Sequence, residues 1–95
     1  MGIITPLENV TISGTAQVGQ TLSAAVQPEG ATASYKWKKA EATEGAYTDI
    51  PDATSATYEL QAEDEGKYIK VEATGTEKYS GTVLSAATTA VTAAG

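Results

Sequence analysis

Apolar side chains in this chain of 95 residues recur at every second position, in short runs that each end at Gly, Pro, Asp or Ser. A strand with one buried face needs that period of two, whereas a helix would need apolar residues three and four apart. Val10 and Ile12 alternate with polar neighbours and stop at Ser13-Gly14; Leu22, Ala24 and Val26 follow and stop at Pro28-Glu29-Gly30. Tyr35 and Trp37 share one face of the next run, Lys36 and Lys38 the other, and a short run from Tyr47 to Ile50 closes at Pro51-Asp52. Tyr58 and Leu60 are in phase, then Ile69, Val71 and Ala73, and a hairpin around Tyr79-Ser80-Gly81 leads into a last strand from Val83 to Val91. Breaks roughly every 8 to 14 residues are the spacing of a sandwich or barrel. About seven strands, each buried on one side, are accommodated most simply by two antiparallel sheets packed face to face. Between them, Gln61-Ala62-Glu63-Asp64-Glu65-Gly66 predicts one turn of helix stopped by glycine, carrying the chain from one sheet to the other.

The core such strands can build is thin. Ala (17) and Thr (15) make up a third of the chain, Leu, Ile and Val together number 15, and the only aromatic anchors are Trp37 and the tyrosines at 35, 47, 58, 68 and 79. So few large aliphatic residues would raise the question of disorder, but a net charge of −6 is moderate and the alternation is kept. The absence of His and Cys removes the usual general base near neutral pH, the thiol nucleophile and most zinc, haem and iron–sulfur ligation. Catalysis and a resident cofactor are therefore not expected. Six lysines against twelve acids argue against nucleic acid, and no apolar stretch is long enough for a membrane span. Met1-Gly2-Ile3-Ile4 lacks the charged start of a signal peptide, so the chain reads as unexported or as a module of a longer exported protein. No linker divides residues 1–95, which read as one domain.

The Trp in Tyr35-Lys36-Trp37 and the D-x-G-x-Y run Asp64-Glu65-Gly66-Lys67-Tyr68 resemble signals of immunoglobulin-like sandwiches. Taken with Val10 to Gly14, Gly19 to Leu22, Ile50 to Tyr58 and Tyr79 to Thr82, the set is similar to the bacterial immunoglobulin-like (Big-type) domains of surface and secreted proteins, across residues 8 to 92. The resemblance implies an all-β, immunoglobulin-like antiparallel β-sandwich of about seven strands. It implies structural roles for Trp37, Tyr35, Tyr58, Leu60, Asp64, Gly66, Tyr68, Ile69 and Val71, and neighbouring third and sixth strands that bring Lys36 and Lys38 against Glu72. An odd strand count places the termini at opposite ends. The function implied is a non-catalytic spacer or display module, extracellular at the bacterial cell surface, monomeric, with neighbouring domains of its own chain as partners. A module binding surface glycan, a host protein or calcium, and a decoration domain of a phage virion, are the alternatives. Two departures stand out. The cysteine pair of antibody domains is missing, and Tyr68 is out of phase with Ile69, Val71 and Ala73, so either a bulge intervenes or Tyr68 packs differently.

Candidate sites follow the charge. Residues 41–66 hold Glu41, Glu44, Asp49, Asp52, Glu59, Glu63, Asp64 and Glu65 with no lysine, a local charge of −8. Asp49, Asp52, Glu63, Asp64 and Glu65 are the calcium candidates, since calcium takes six to eight oxygens, although no D-x-D-x-D-G loop is present. Asp64 has a second, structural reading as an acceptor for backbone N–H groups at the crossing turn. Trp37 reads as core, with a sugar-stacking platform as the other use of such a ring. Tyr79 at the hairpin tip is a partner contact or a loop-packing residue. Asn9, the sole asparagine, lies in a glycosylation sequon; an isopeptide crosslink would need Lys with Asn or Asp and a nearby acid, and the last strand offers no acid.

Overall fold

Each alternating run becomes a strand in the computed structural model, which describes residues 4–28, 30–42, 45–51 and 53–94. β1 (Thr5–Pro6), β2 (Asn9–Ser13), β3 (Thr21–Gln27), β4 (Ala33–Ala40), β5 (Thr48–Asp49) and β6 (Thr57–Glu59) come first. A 3-10 turn (Ala62–Asp64) and β7 (Tyr68–Gly75), β8 (Tyr79–Ser80) and β9 (Thr82–Leu84) complete the chain. One sheet has the order β2-β3-β6 and the other β5-β4-β7-β9, seven strands with every pairing antiparallel; β1 and β8 form a small parallel ribbon beside them. This is an all-β sandwich of antiparallel sheets, with the fourth and seventh strands at the centre of the larger sheet.

The apolar faces of the two sheets close on one core. Val10 and Leu22 from one sheet meet Trp37, Ile69, Val71 and Ala73 from the other, and Leu7, Ile50, Ala53, Leu60 and Val91 seal the margins. Trp37 is fully buried, as are Leu22, Ile69 and Val71. The indole stacks on Tyr58, ring centroids 5.8 Å apart, and its Nε1 donates to the Ser55 carbonyl at 2.7 Å. A ring with no solvent-facing side cannot serve as a sugar platform. Tyr35, Tyr58 and Tyr79 are half-buried against the core.

The register settles the question of Tyr68. Eight consecutive pairs join β4 to β7, from Ala33 with Gly75 to Ala40 with Tyr68, without a bulge. Tyr68 therefore lies on the outer face, opposite Ala40, while Ile69, Val71 and Ala73 point inward. The same ladder puts Lys36 opposite Glu72. The ion pairs, however, go from Lys36 and Lys38 to Asp49 on β5, at 3.7 Å and 2.8 Å. Glu72 is the register partner and Asp49 the ionic one.

The last strand departs most from its sequence reading. Regular pairing stops at Leu84, and from there the chain advances three residues for every two of β7: Ser85, Thr88 and Val91 donate their N–H groups to the carbonyls of Val71, Ile69 and Lys67, each at 2.9 Å. Side-chain hydroxyls fill the gaps this mismatch leaves. The Val71 N–H donates to Ser85 Oγ, which donates to the Ala86 carbonyl; the Ile69 N–H donates to Thr88 Oγ1, which donates to the Thr89 carbonyl. Buried backbone donors need such partners, and a Ser-x-x-Thr-x-x-Val segment supplies them where a regular strand would not.

The first and last described segments are tied down at opposite ends of β7. The Thr5 N–H donates to Lys78 and the Leu7 N–H to Ser80, at the turn beyond the end of β7. Val91 and Thr92 are held by Lys67, Ala16 and the Gln17 bridge, at the start of β7. The sandwich measures 51 × 23 × 20 Å.

Candidate functional site

The acidic stretch and the end of the sandwich converge at Asp64. Alternation from Tyr35 and Trp37 sends Lys39, unlike its outward neighbours Lys36 and Lys38, toward the core side of β4. A cation at the inward-facing end of a strand requires a counter-charge, and the 3-10 turn delivers one: Asp64 is fully buried, with Lys39 Nζ 3.5 Å from its Oδ1. Oδ2 accepts from the Tyr58 hydroxyl at 2.5 Å and from the Gln61 N–H at 2.9 Å. Oδ1 accepts no hydrogen bond among the described residues. Burial, then the bond to Asp64 and its charge, pushes the Tyr58 phenol well above the ordinary tyrosine value. Asp64 thus ties one sheet (Tyr58), the crossing turn (Gln61) and the other sheet (Lys39) together. The hydroxyl that closes this corner belongs to Tyr58, while Tyr68, the tyrosine of the D-x-G-x-Y run, faces outward.

Beside this network lies an open pocket of about 330 Å³ lined by Lys39, Ile50, Pro51, Tyr58, Gln61, Glu63 and Asp64. Its lining combines the charged Lys39, Glu63 and Asp64 with the apolar Ile50 and Pro51. Gly66, at φ 81°, ends the crossing turn in a conformation that suits glycine, and its N–H donates to Val91.

The calcium candidates divide. Asp49 sits on the outer face between Lys36 and Lys38, its carboxyl held below the ordinary aspartate value chiefly by the hydrogen bond from Lys38, whose own ammonium is raised by the same bond. Asp64 is buried against Tyr58 and Lys39, and Glu63 and Glu65 on either side of it are exposed. Asp52 lies outside the described residues. Among the described residues no three carboxylates come together as a metal ligand set. Folding also changes the acidic stretch as a field. Among the described residues, four ion pairs, from Lys36, Lys38, Lys39 and Lys67 to Asp49, Asp64 and Glu41, join it to lysines from outside it. On the outer face Lys70 lies over the Tyr47 ring, 4.6 Å from its centroid, and burial followed by the neighbouring Tyr68 raises the Tyr47 phenol.

Lys39 was the legible residue that charge counting passes over: it follows Trp37 by two and so shares its face. The hydroxyl spacing of Ser85 and Thr88 was visible too, but only knowledge of the β7 ladder gives it meaning. The chain matches no protein-family model, and no curated protein sequence matches it.

Proposed function

We propose that this chain is a non-catalytic spacer or display module of a bacterial cell-surface or secreted protein, carried between neighbouring domains. The observation that supports the reading is the placement of its ends: the first strand is hydrogen-bonded at the Lys78 turn and the last residues at Lys67, so that the length of β7 separates entry from exit. A module entered at one end and left at the other adds its own long axis to an array, which is what holding another domain away from an envelope requires. The acidic surface left after the ion pairs are formed keeps such arrays soluble and apart. Three copies joined head to tail test this by small-angle X-ray scattering. The maximum dimension is expected to rise by close to the 51 Å long axis for each added copy. A rise of less than half that, from modules folding back side by side, would overturn the proposal.

A further inference from the structure

We infer that the pocket beside Asp64 binds a sugar ring, gripping one hydroxyl between Lys39 and Asp64. The Lys39 ammonium and Asp64 Oδ1 stand 3.5 Å apart, too far for a good hydrogen bond, and Oδ1 is a buried acceptor with no hydrogen bond among the described residues. A group placed between them must accept from the ammonium and donate to the carboxylate. A hydroxyl does both with one atom; an ammonium ligand would meet Lys39 as a like charge, and a carboxylate ligand would meet Asp64 and Glu63 in the same way. Gln61 and Glu63 at the rim are polar partners for further hydroxyls, while Ile50, Pro51 and the Tyr58 ring give an apolar wall for the C–H face of a pyranose. The volume, about 330 Å³, is at the small end of ligand pockets and has room for one ring rather than a chain. Lys39, on a flexible four-carbon stem whose side chain is 25% exposed, is the wall that moves to admit the hydroxyl. This site is distinct from Trp37, and it stands or falls independently of the spacer reading.

The test uses the full 95-residue chain, ¹⁵N-labelled, titrated with glucose, galactose, mannose and N-acetylglucosamine up to about 50 mM, with calcium chloride and sodium acetate as parallel arms. At least one sugar is expected to move the amide signals of Lys39, Ile50, Gln61, Glu63 and Asp64 saturably, with a millimolar dissociation constant, as befits a ligand of about a dozen non-hydrogen atoms in an open pocket. Lys39→Met should weaken that binding at least tenfold, and Glu63→Gln, at an exposed position that does not carry the fold, several-fold. No saturable shift with any of the four sugars, shifts at these residues from calcium or acetate alone, or unchanged binding in both variants would each overturn the inference.

Discussion

Tyr58→Phe isolates one hydrogen bond at the joint between the two sheets. The ring remains, so its stack on Trp37 and the packing of Leu60 are kept and no cavity opens. What is lost is a donor to a fully buried carboxylate. Among the described residues, Asp64 Oδ2 then keeps only the Gln61 N–H, and Oδ1 keeps only Lys39 at 3.5 Å. Hydrogen bonds to charged groups contribute about 1.5–3 kcal/mol, and losing one partner of a buried acceptor falls in that range, so we expect a loss of about 2 kcal/mol. In a domain of this size each kcal/mol moves the melting temperature by roughly 4–8 °C, which gives a drop of roughly 8–16 °C in a circular-dichroism melt. Urea unfolding should show a lower midpoint at an unchanged slope, because the same surface is exposed. The double mutant with Asp64→Asn completes a cycle in which the coupling is expected to be at least ~1 kcal/mol. A loss below ~0.5 kcal/mol together with no coupling would show that Asp64 does not join the sheets through Tyr58.

Three other perturbations probe separate parts of the account. Ser85→Ala should cost about 1–3 kcal/mol, because the buried Val71 N–H loses its acceptor, whereas Ser34→Ala on the exposed outer face should change the urea midpoint little. Gly75→Ala should be destabilising by about 1–3 kcal/mol, since a Cβ there would lie 2.6 Å from the Tyr79 carbonyl carbon and the Ser80 nitrogen, both backbone atoms that a rotamer change cannot clear. Because the Tyr58 phenol is raised above its unfolded value of 10.0, its contribution to stability is complete below that pH and is lost as pH rises from there through the folded value. Urea midpoints should therefore fall above about pH 10, and Tyr58→Phe should flatten part of that fall; Tyr47 and Lys38, both raised as well, contribute to what remains.

Where one face of a strand is buried and the other wet, sequence period and structure coincide. Val10, Leu22, Trp37, Ile69, Val71 and Ala73 lie on the inner faces because a shift of one residue would expose all of them at once. Tyr68 was likewise readable as out of phase, and the unbroken ladder to β4 places it outside. The segment after Leu84 was not readable in this way, since its period of three arises from a mismatch with a neighbouring strand rather than from its own hydrophobic pattern. Ala86, Ala87 and Ala90 carry too little side chain to announce a face. Charge was the least legible property. A count along the chain assigns −8 to residues 41–66, yet β-pairing and the crossing turn bring Lys36, Lys38, Lys39 and Lys67 onto those acids. The candidate site itself, a buried aspartate with a tyrosine and an inward lysine, required strands that are distant in sequence to meet.

The central claim is that the chain enters this sandwich at one end and leaves at the other, and a single distance tests it. The protein has no native cysteine, so spin labels at Ile4→Cys and Ala94→Cys, both exposed positions, report on the ends without interference. The path along β7 from Lys67 to Gly75 alone spans about 26 Å at the usual rise per strand residue. Pulsed dipolar spectroscopy is expected to give one narrow distribution centred at about 30 Å or more. A mean below about 15 Å, with both ends on the same side of the sandwich, would contradict the account.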